Sequence, residues 1–437
     1  MTEGMIIARF LTQSRNVQRD AAVYNMVASI LNSFQSVIFL VVLTRVVGTE
    51  ESGIFSIAFA YSYMFLTIGK YGMQHYQVSD RNEEFSFRLY RLSRWISIAV
   101  MLVTAAVYIG VVGIHNGYSP RKFGIMLWMC LFRVPDAVED VYYGMYQQRN
   151  RLDIAAKAMT LRMVMEISCY LWALIVLKDQ YLSLIIATVF NFAVLYWILR
   201  CTSRFFANEP LRRPAVESKG NARGLLLLLK NCFPLFLGSF LTIYVTNAPK
   251  YAIDASLSDE LQAYYGYLSM PVSMIGLLGG FLFIPLLYEF TELWNNGRIR
   301  EFCRKFAGMA FAVTLITVCC IAAAAVLGIP VLSILFNADL TSYRKDLLIL
   351  LAGGGFSALA ALINAMVTVM RRQNGLLIGY IVSAVLAYAV SGIAVETDGI
   401  RGASFLFLLL MGIQCVCFGA VMFRGICRKR GEEFLSA

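Results

Sequence analysis

The sequence predicts an all-α polytopic membrane protein with about 12 transmembrane helices in two six-helix lobes. Of its 437 residues, 59% are hydrophobic and only 15% are charged, and the mean hydropathy is +0.66. A soluble globular chain carries about 25% charged residues. Since a membrane span needs about 20 apolar residues, this length accommodates roughly a dozen spans and almost no soluble domain.

Long apolar runs, closed by polar residues or by glycine and proline, mark six spans in each half of the chain. The first six are 21–43, 53–71, 95–114, 123–143, 158–177 and 181–199. The second six are 225–246, 263–288, 306–327, 347–370, 376–395 and 402–423. We therefore predict an N-terminal six-helix lobe at 1–200, a basic cytoplasmic linker at 201–224 and a C-terminal six-helix lobe at 225–437.

The basic residues predict the topology. Of the 38 lysines and arginines, the segments on one side of the spans hold 26, including Arg81, Arg94 and Arg371, and the opposite segments hold eight. This bias predicts that both termini are cytoplasmic. Topology and anionic lipid headgroups then account for the net charge of +11, and a nucleic-acid partner is not expected. No removable signal peptide is expected either, so the first span is the anchor.

The patterns of soluble enzyme chemistry are missing from the sequence. Ten cysteines are scattered without a C-x-x-C pair, the only histidines are His75 and His115, and no phosphate-binding P-loop motif occurs. We therefore expect no catalytic residues, no metal site and no cofactor.

Polar residues recur along one face of the first span of each half. Asn25, Ser29, Asn32 and Ser36 follow at intervals of 4, 3 and 4, which is helical spacing. The corresponding row in the second half is Asn231, Ser239, Thr242, Thr246 and Lys250. Two such faces indicate either a shared hydrated cavity or hydrogen bonds that join neighbouring helices.

The fourth and fifth spans carry charges, which are costly in a bilayer unless they are paired or hydrated. Arg133 is spaced to pair with Asp136, and Arg162 with Glu166. The spans are then neutralised internally. The functional alternative is that Arg133 binds an anionic headgroup. In that case the acids Asp136, Glu139 and Asp140 bind a coupling cation, Na⁺ or H⁺.

Prolines and glycines interrupt the seventh and eighth spans, among them Pro234, Pro249, Pro271 and Pro285. Such residues are tolerated where neighbours or a cavity satisfy the freed carbonyls. The interruptions indicate either helices that bend during alternating access or ordinary kinks.

Several short motifs resemble those of one family. They are Asn25-x-x-x-Ser29, Thr44-Arg45-Val-Val-Gly48-x-x-x-x-Gly53, Tyr143-Gly144-Met-Tyr146-Gln147-Gln148-Arg149-Asn-Arg151-Leu-Asp153 and Asn247-Ala-Pro249-Lys250-Tyr251. With the layout of twelve spans, the chain resembles the polysaccharide (O-antigen type) flippases of the multidrug/oligosaccharidyl-lipid/polysaccharide (MOP) exporter superfamily.

The resemblance implies a MATE-like fold with two lobes around a central cavity. It also implies a monomer in the bacterial cytoplasmic membrane that moves an undecaprenyl-diphosphate-linked oligosaccharide from the inner to the outer leaflet for surface polysaccharide such as lipopolysaccharide. A polymerase and a chain-length regulator are possible partners. By position, Arg45 and Lys250 match the cationic cavity residues that bind the substrate, although anchoring at the membrane edge would also explain them.

Two other functions stay open at the level of sequence. A cation-coupled multidrug antiporter of the same superfamily would want an acidic, aromatic cavity, whereas the polar faces here carry amides with Arg45 and Lys250. A membrane polysaccharide polymerase would commonly have a large external loop, and no predicted outside segment exceeds about twenty residues.

Overall fold

A computed structural model of the chain describes residues 2–80, 84–206 and 221–436, and all its regular elements are helices. The first unit contains α1 (Thr2–Thr12), α2 (Val17–Val46), α3 (Thr49–Lys70), α4 (Met73–Ser79), α5 (Phe87–His115), α6 (Pro120–Phe132), α7 (Val134–Gln148), α8 (Leu152–Leu177) and α9 (Gln180–Phe206). The second contains α11 (Asp259–Phe283), α12 (Leu287–Asn295), α13 (Ile299–Ala323), α14 (Ile329–Phe336), α15 (Arg344–Val369) and α16 (Asn374–Ser436). Helix α10 (Asn221–Ser256) crosses the division between the units, which falls between Phe240 and Leu241.

The twelve predicted spans are accounted for in the described residues. Ten helical segments are long and apolar enough to cross a membrane. One of them, α16, contains two spans, because its backbone leaves the helical region at Gly399 (φ 58°, ψ −130°). The predicted fourth span is the pair α6 and α7, of 13 and 15 residues, which are individually too short to count. The division into six-helix lobes at 200 and 225 stays a prediction, and residues 207–220 of the predicted linker lie outside the described residues, as does Arg81.

The first unit is built on the contact of α2 with α8. Helix α8 also packs against α9, and α3 packs against α5 and α6. Close approach is possible where α3 ends, because a Cβ on Gly69 would lie 2.6 Å from Sδ of Met101. A buried cluster of Tyr143, Tyr146, Ile154 and Val194 joins α7, α8 and α9.

In the second unit, α15 lies at the centre and packs against α11, α13 and α16. Its three consecutive glycines allow this crowding. A Cβ on Gly353 would lie 2.6 Å from Cδ1 of Phe407, and one on Gly354 would lie 3.0 Å from Cγ1 of Val272. These glycines are therefore packing residues inside a span.

The predicted interruptions are of two kinds. Helix α10 runs without a break through Pro234 and Pro249. Helix α11 contains Pro271 and ends at Phe283, and Pro285 lies in the 3-10 turn Ile284–Leu286 that leads into α12. Since proline removes a backbone donor and clashes with the preceding turn, the change of helix type at Pro285 has a local cause.

Candidate functional site

The break between α6 and α7 positions the charged residues of the fourth span. Helix α6 ends at Phe132, and Pro135 occupies the first turn of α7, where its missing N–H is not needed. Asp136 follows in the same turn, where a negative charge is stabilised by the positive end of the helix dipole. Arg133 lies at the break and is buried, with 2% of its surface exposed.

Arg162 of α8 is the centre of a buried network of ion pairs. Its Nη2 lies 2.5 Å from Oδ1 of Asp136 and 2.6 Å from Oε1 of Glu139, and its Nε donates to the other oxygen of Glu139. Its Nη1 lies 2.6 Å from Oε2 of Glu166. One guanidinium therefore binds three carboxylates, two from α7 and one from its own helix. The pair of Arg162 with Glu166 confirms the prediction made from their spacing.

Polar side chains on two further helices and on α7 complete this network, which we call the Arg162 network. Gln35 of α2 donates to Oε1 of Glu166 at 2.6 Å, and Asn191 of α9 donates to its Oε2 at 2.8 Å. Tyr143 of α7 donates to Oε2 of Glu139 at 2.8 Å. Gln35 and Asn191 are each 1% exposed. The network thus joins α2, α7, α8 and α9 at one buried point.

Arg133 is joined to the same network but is not fully satisfied by it. Its Nη1 lies 3.0 Å from Oδ2 of Asp136, which confirms the predicted pair, and 3.2 Å from Oε1 of Gln35. Its Nε and Nη2 have no hydrogen-bond partner within residues 2–80, 84–206 and 221–436. The rings of Phe59 and Tyr63 lie 4.5 Å from the guanidinium carbon. Aromatic faces stabilise the charge but accept no conventional hydrogen bond, so two donors of a buried cation are left for another acceptor.

The charges of the Arg162 network do not balance. Asp136, Glu139 and Glu166 supply three carboxylates, whereas Arg133 and Arg162 supply two guanidiniums. In a poorly hydrated interior an uncompensated charge is costly. The network by itself carries one excess negative charge, and the cation of Lys70, which lies 3.7 Å from Asp140, also acts on Asp136 and offsets part of that excess.

Asp140 belongs to a second buried group. Nη2 of Arg94 lies 2.5 Å from its Oδ2, and Nζ of Lys70 lies 3.7 Å from its Oδ1. The other guanidinium nitrogen Nη1 of Arg94 donates to the carbonyl of Gly69, as does Ser97 at 2.7 Å. Arg94, which the sequence places just before the third span, is 2% exposed inside α5 and pairs with Asp140.

The remaining predicted site residues lie on more accessible surfaces. In the first unit, Arg45 is exposed in the last turn of α2, and Asn25 is half-buried. Asn32 is exposed and accepts a hydrogen bond of 3.1 Å from the hydroxyl of Tyr63. In the second unit, Thr242 and Lys250 are both half-buried on α10. The hydroxyl of Tyr63 thus connects the predicted polar face of α2 to the ring that covers Arg133.

Sequence reasoning missed Gln35, Asn191 and Arg94. Gln35 lies between Asn32 and Ser36, which belong to the predicted polar face of α2, but its own side chain lies on the buried side of the helix. The available signal was a mismatch of charge: the acids of the fourth span outnumber the arginine that is spaced to pair with them, so partners on other helices were required.

The sequence matches the family described as polysaccharide biosynthesis protein over residues 19–289. A comparison with curated proteins finds no match. Among solved structures, the fold is similar to the lipid II flippase MurJ in an inward closed conformation (TM-score 0.68, 12% identity, 95% of this chain and 93% of that chain).

Two further solved structures carry the same fold. One is an inward-facing multidrug resistance MATE family transporter of the MOP superfamily (TM-score 0.57, 14% identity, 99% of each chain). The other is a MOP superfamily transporter from Pyrococcus furiosus (TM-score 0.55, 12% identity, 98% of each chain). These findings confirm the predicted fold and the resemblance. The chain belongs to the polysaccharide biosynthesis protein family, and it is a multi-pass membrane protein with the fold of the lipid II flippase MurJ and of the MATE transporters.

Proposed function

We propose that the protein is a flippase for an undecaprenyl-diphosphate-linked oligosaccharide repeat, which it moves from the inner to the outer leaflet of the bacterial cytoplasmic membrane. The family is one of polysaccharide biosynthesis, and the fold is similar to that of a lipid II flippase. Both termini are cytoplasmic in this proposal, as the distribution of basic residues predicts. A polymerase and a chain-length regulator would act on the delivered repeat.

The observation that carries the proposal is the incompletely bonded guanidinium of Arg133. A buried donor without a partner costs about 1–3 kcal/mol, so two of them are costly in the resting structure. Phosphate oxygens are natural acceptors for a guanidinium and pair with it in a bidentate manner. A diphosphate headgroup would supply the acceptors that Nε and Nη2 lack.

The route to Arg133 begins on the polar face of α2. Tyr63 lies over the guanidinium and donates to the exposed Asn32. Rotation of the Tyr63 ring would open a path from that face to Nε and Nη2 of Arg133. Arg45 and Lys250 would attract the anionic headgroup by their charge, and Asn25 and Thr242 would offer hydrogen bonds to sugar hydroxyls. The polyprenyl tail would remain in the lipid during alternating access.

The uneven charge of the Arg162 network is our proposed source of coupling. One proton shared among Asp136, Glu139 and Glu166 would neutralise the network without displacing Arg162. Na⁺ is the alternative ion. Asp140, the third predicted coupling residue, lies outside this network and pairs with Arg94.

Deletion of the gene tests the function. We expect surface polysaccharide to be lost while the lipid-linked repeat accumulates on the inner leaflet. A deletion strain with normal surface polymer would refute the proposal. Efflux of cationic dyes by the intact protein, with normal polymer, would instead favour a multidrug antiporter.

Substitution of Arg133 tests the binding role. Arg133→Gln should abolish export, because the headgroup loses its charged donor, and Arg133→Lys should retain part of it as a single-point cation. Arg91→Gln is the matched control, since Arg91 is an exposed arginine in the first turns of α5. Membrane abundance of each variant separates a loss of binding from a loss of folding. Unchanged export by Arg133→Gln would remove Arg133 from the site.

A further inference from the structure

A cavity of about 760 Å³ lies in the second unit, where α15 ends and α16 begins. Four arginines line it: Arg371, Arg372, Arg424 and Arg428. None of them belongs to the Arg162 network or to the polar faces described above. The cavity is therefore a separate feature of the transporter.

The backbone brings two of these arginines to the cavity. Arg371 has a positive φ of 57°, and its N–H donates to the carbonyl of Thr368 at 2.9 Å. The N–H of Arg372 donates to the carbonyl of Val367 at 3.1 Å. These bonds close the end of α15 and allow the chain to turn directly into α16 at Asn374. The tight turn fixes Arg371 and Arg372 beside the start of the next span.

Glycines at the start of α16 allow it to pack closely against the later part of the same element. A Cβ on Gly375 would lie 2.8 Å from Cγ1 of Val421, and one on Gly379 would lie 3.0 Å from Cβ of Cys417. The start of α16 therefore packs closely against its later part, which carries Arg424 and Arg428. A Cβ on Gly425 would lie 3.4 Å from Cδ of Arg372, so the side chain of Arg372 lies across that helix.

The charged side chains that line the cavity are all basic among the described residues. Its lining residues in the described chain include four arginines and no aspartate or glutamate. The positive end of the α16 dipole at Asn374 adds to the same field. The guanidiniums of Arg371, Arg372 and Arg424 repel one another, and an anion that bridges them relieves this repulsion. Guanidinium groups bind phosphate oxygens in particular, because their paired donors match the oxygens.

Part of the cavity lining is apolar. Ile378, which is 67% exposed, lines it together with Ala420 and Val421. The cavity lies at the ends of membrane-spanning segments, where headgroups meet hydrocarbon. We propose that this cavity binds a phosphate-bearing anion, with the phosphate between the arginines. A lipid headgroup would in addition lay its acyl chain against Ile378 and Val421.

The natural thiol of Cys417 reports on occupancy, because it lines the cavity. The purified full chain in detergent is alkylated with N-ethylmaleimide, and the rate at each cysteine is read by peptide mass. The exposed Cys319 is the internal control, since it lies elsewhere, on α13. Phosphatidylglycerol, phosphatidylcholine and inorganic pyrophosphate are added in separate titrations. We expect phosphatidylglycerol to slow the alkylation of Cys417 and to leave that of Cys319 unchanged.

Two double variants test whether the arginines are responsible. Arg371→Gln/Arg424→Gln should weaken protection about 30-fold, because each basic residue near an anionic headgroup contributes a factor of about five. Arg371→Lys/Arg424→Lys, which keeps the charge, should lose much less. Both positions are exposed, so the fold should tolerate the changes.

The titrations also distinguish the source of the phosphate. Protection by phosphatidylglycerol alone assigns the site to a lipid headgroup, and protection by pyrophosphate alone assigns it to soluble phosphate. No protection by either probe overturns the proposal, as does equal protection in the Arg371→Gln/Arg424→Gln variant. Polysaccharide export is not part of the measurement, so this test and the test of the proposed function fail independently.

Discussion

Replacement of Arg162 by methionine should destabilise the first unit more than the same replacement of an exposed arginine that also bridges two acids. The guanidinium contacts Asp136, Glu139 and Glu166, which come from two helices. Methionine has a similar length and no charge. In the variant, three buried carboxylates would face only Arg133, so the excess of negative charge would rise from one to two.

The expected loss of stability follows from the burial of the ion pairs of Arg162. Removing one partner of a buried ion pair costs about 3–5 kcal/mol, because the other charge is left without compensation. An exposed pair contributes only about 0–1 kcal/mol. Arg121 provides the comparison within the same unit. It also bridges two acids, at 2.6 Å from Glu51 and 3.0 Å from Asp179, but its side chain is 42% exposed.

The assay is thermal unfolding of the two purified variants, Arg162→Met and Arg121→Met, in the same detergent. We expect the melting temperature of Arg162→Met to lie at least about 5 °C below that of Arg121→Met. A second change, Glu139→Gln, should recover part of the loss, since it removes one of the stranded carboxylates. Equal melting temperatures for the two arginine variants would show that the Arg162 network does not stabilise the fold.

The other predictions concern packing and transport. Gly353→Ala should lower the free energy of unfolding by about 1–3 kcal/mol, because the new Cβ would meet the ring of Phe407. Gly412→Ala is the control and should not destabilise the protein, since there is open space around Gly412. Thermal unfolding of the two variants measures the difference. Arg45→Ala and Lys250→Ala should each reduce polysaccharide export, measured against the amount of protein in the membrane, because the anionic headgroup loses an attracting charge. Wild-type export by both variants would mean that neither side chain meets the substrate.

Interactions that depend on one helix were predictable, and those that depend on several were not. The spans follow from hydropathy, and the pairs Arg133 with Asp136 and Arg162 with Glu166 follow from helical spacing. Gln35 lies 131 residues from Glu166, which accepts its hydrogen bond. Such a contact is set by the rotation of α2 against α8, and no local pattern fixes that rotation.

The same limit applies to the partner of Arg94. Its position beside the apolar run 95–114 is that of a basic residue at a membrane edge. Only the packing of α5 against α7 shows that Asp140 lies within 2.5 Å of its guanidinium. The sequence contained both charges, but their separation by 46 residues concealed that they compensate each other.

The Arg162 network affects the order in which the spans can enter the bilayer during synthesis. Helix α7 carries Asp136, Glu139 and Asp140, and each charge at the centre of a lone span costs about 2.5–3.5 kcal/mol to insert. Helix α6 adds only 13 residues to offset this cost. The cost falls when α8 presents Arg162 beside the acids and α5 presents Arg94. The fourth span should therefore insert into the bilayer only after the fifth span has been synthesised. In a nascent chain that stops before α8, α7 should remain in water.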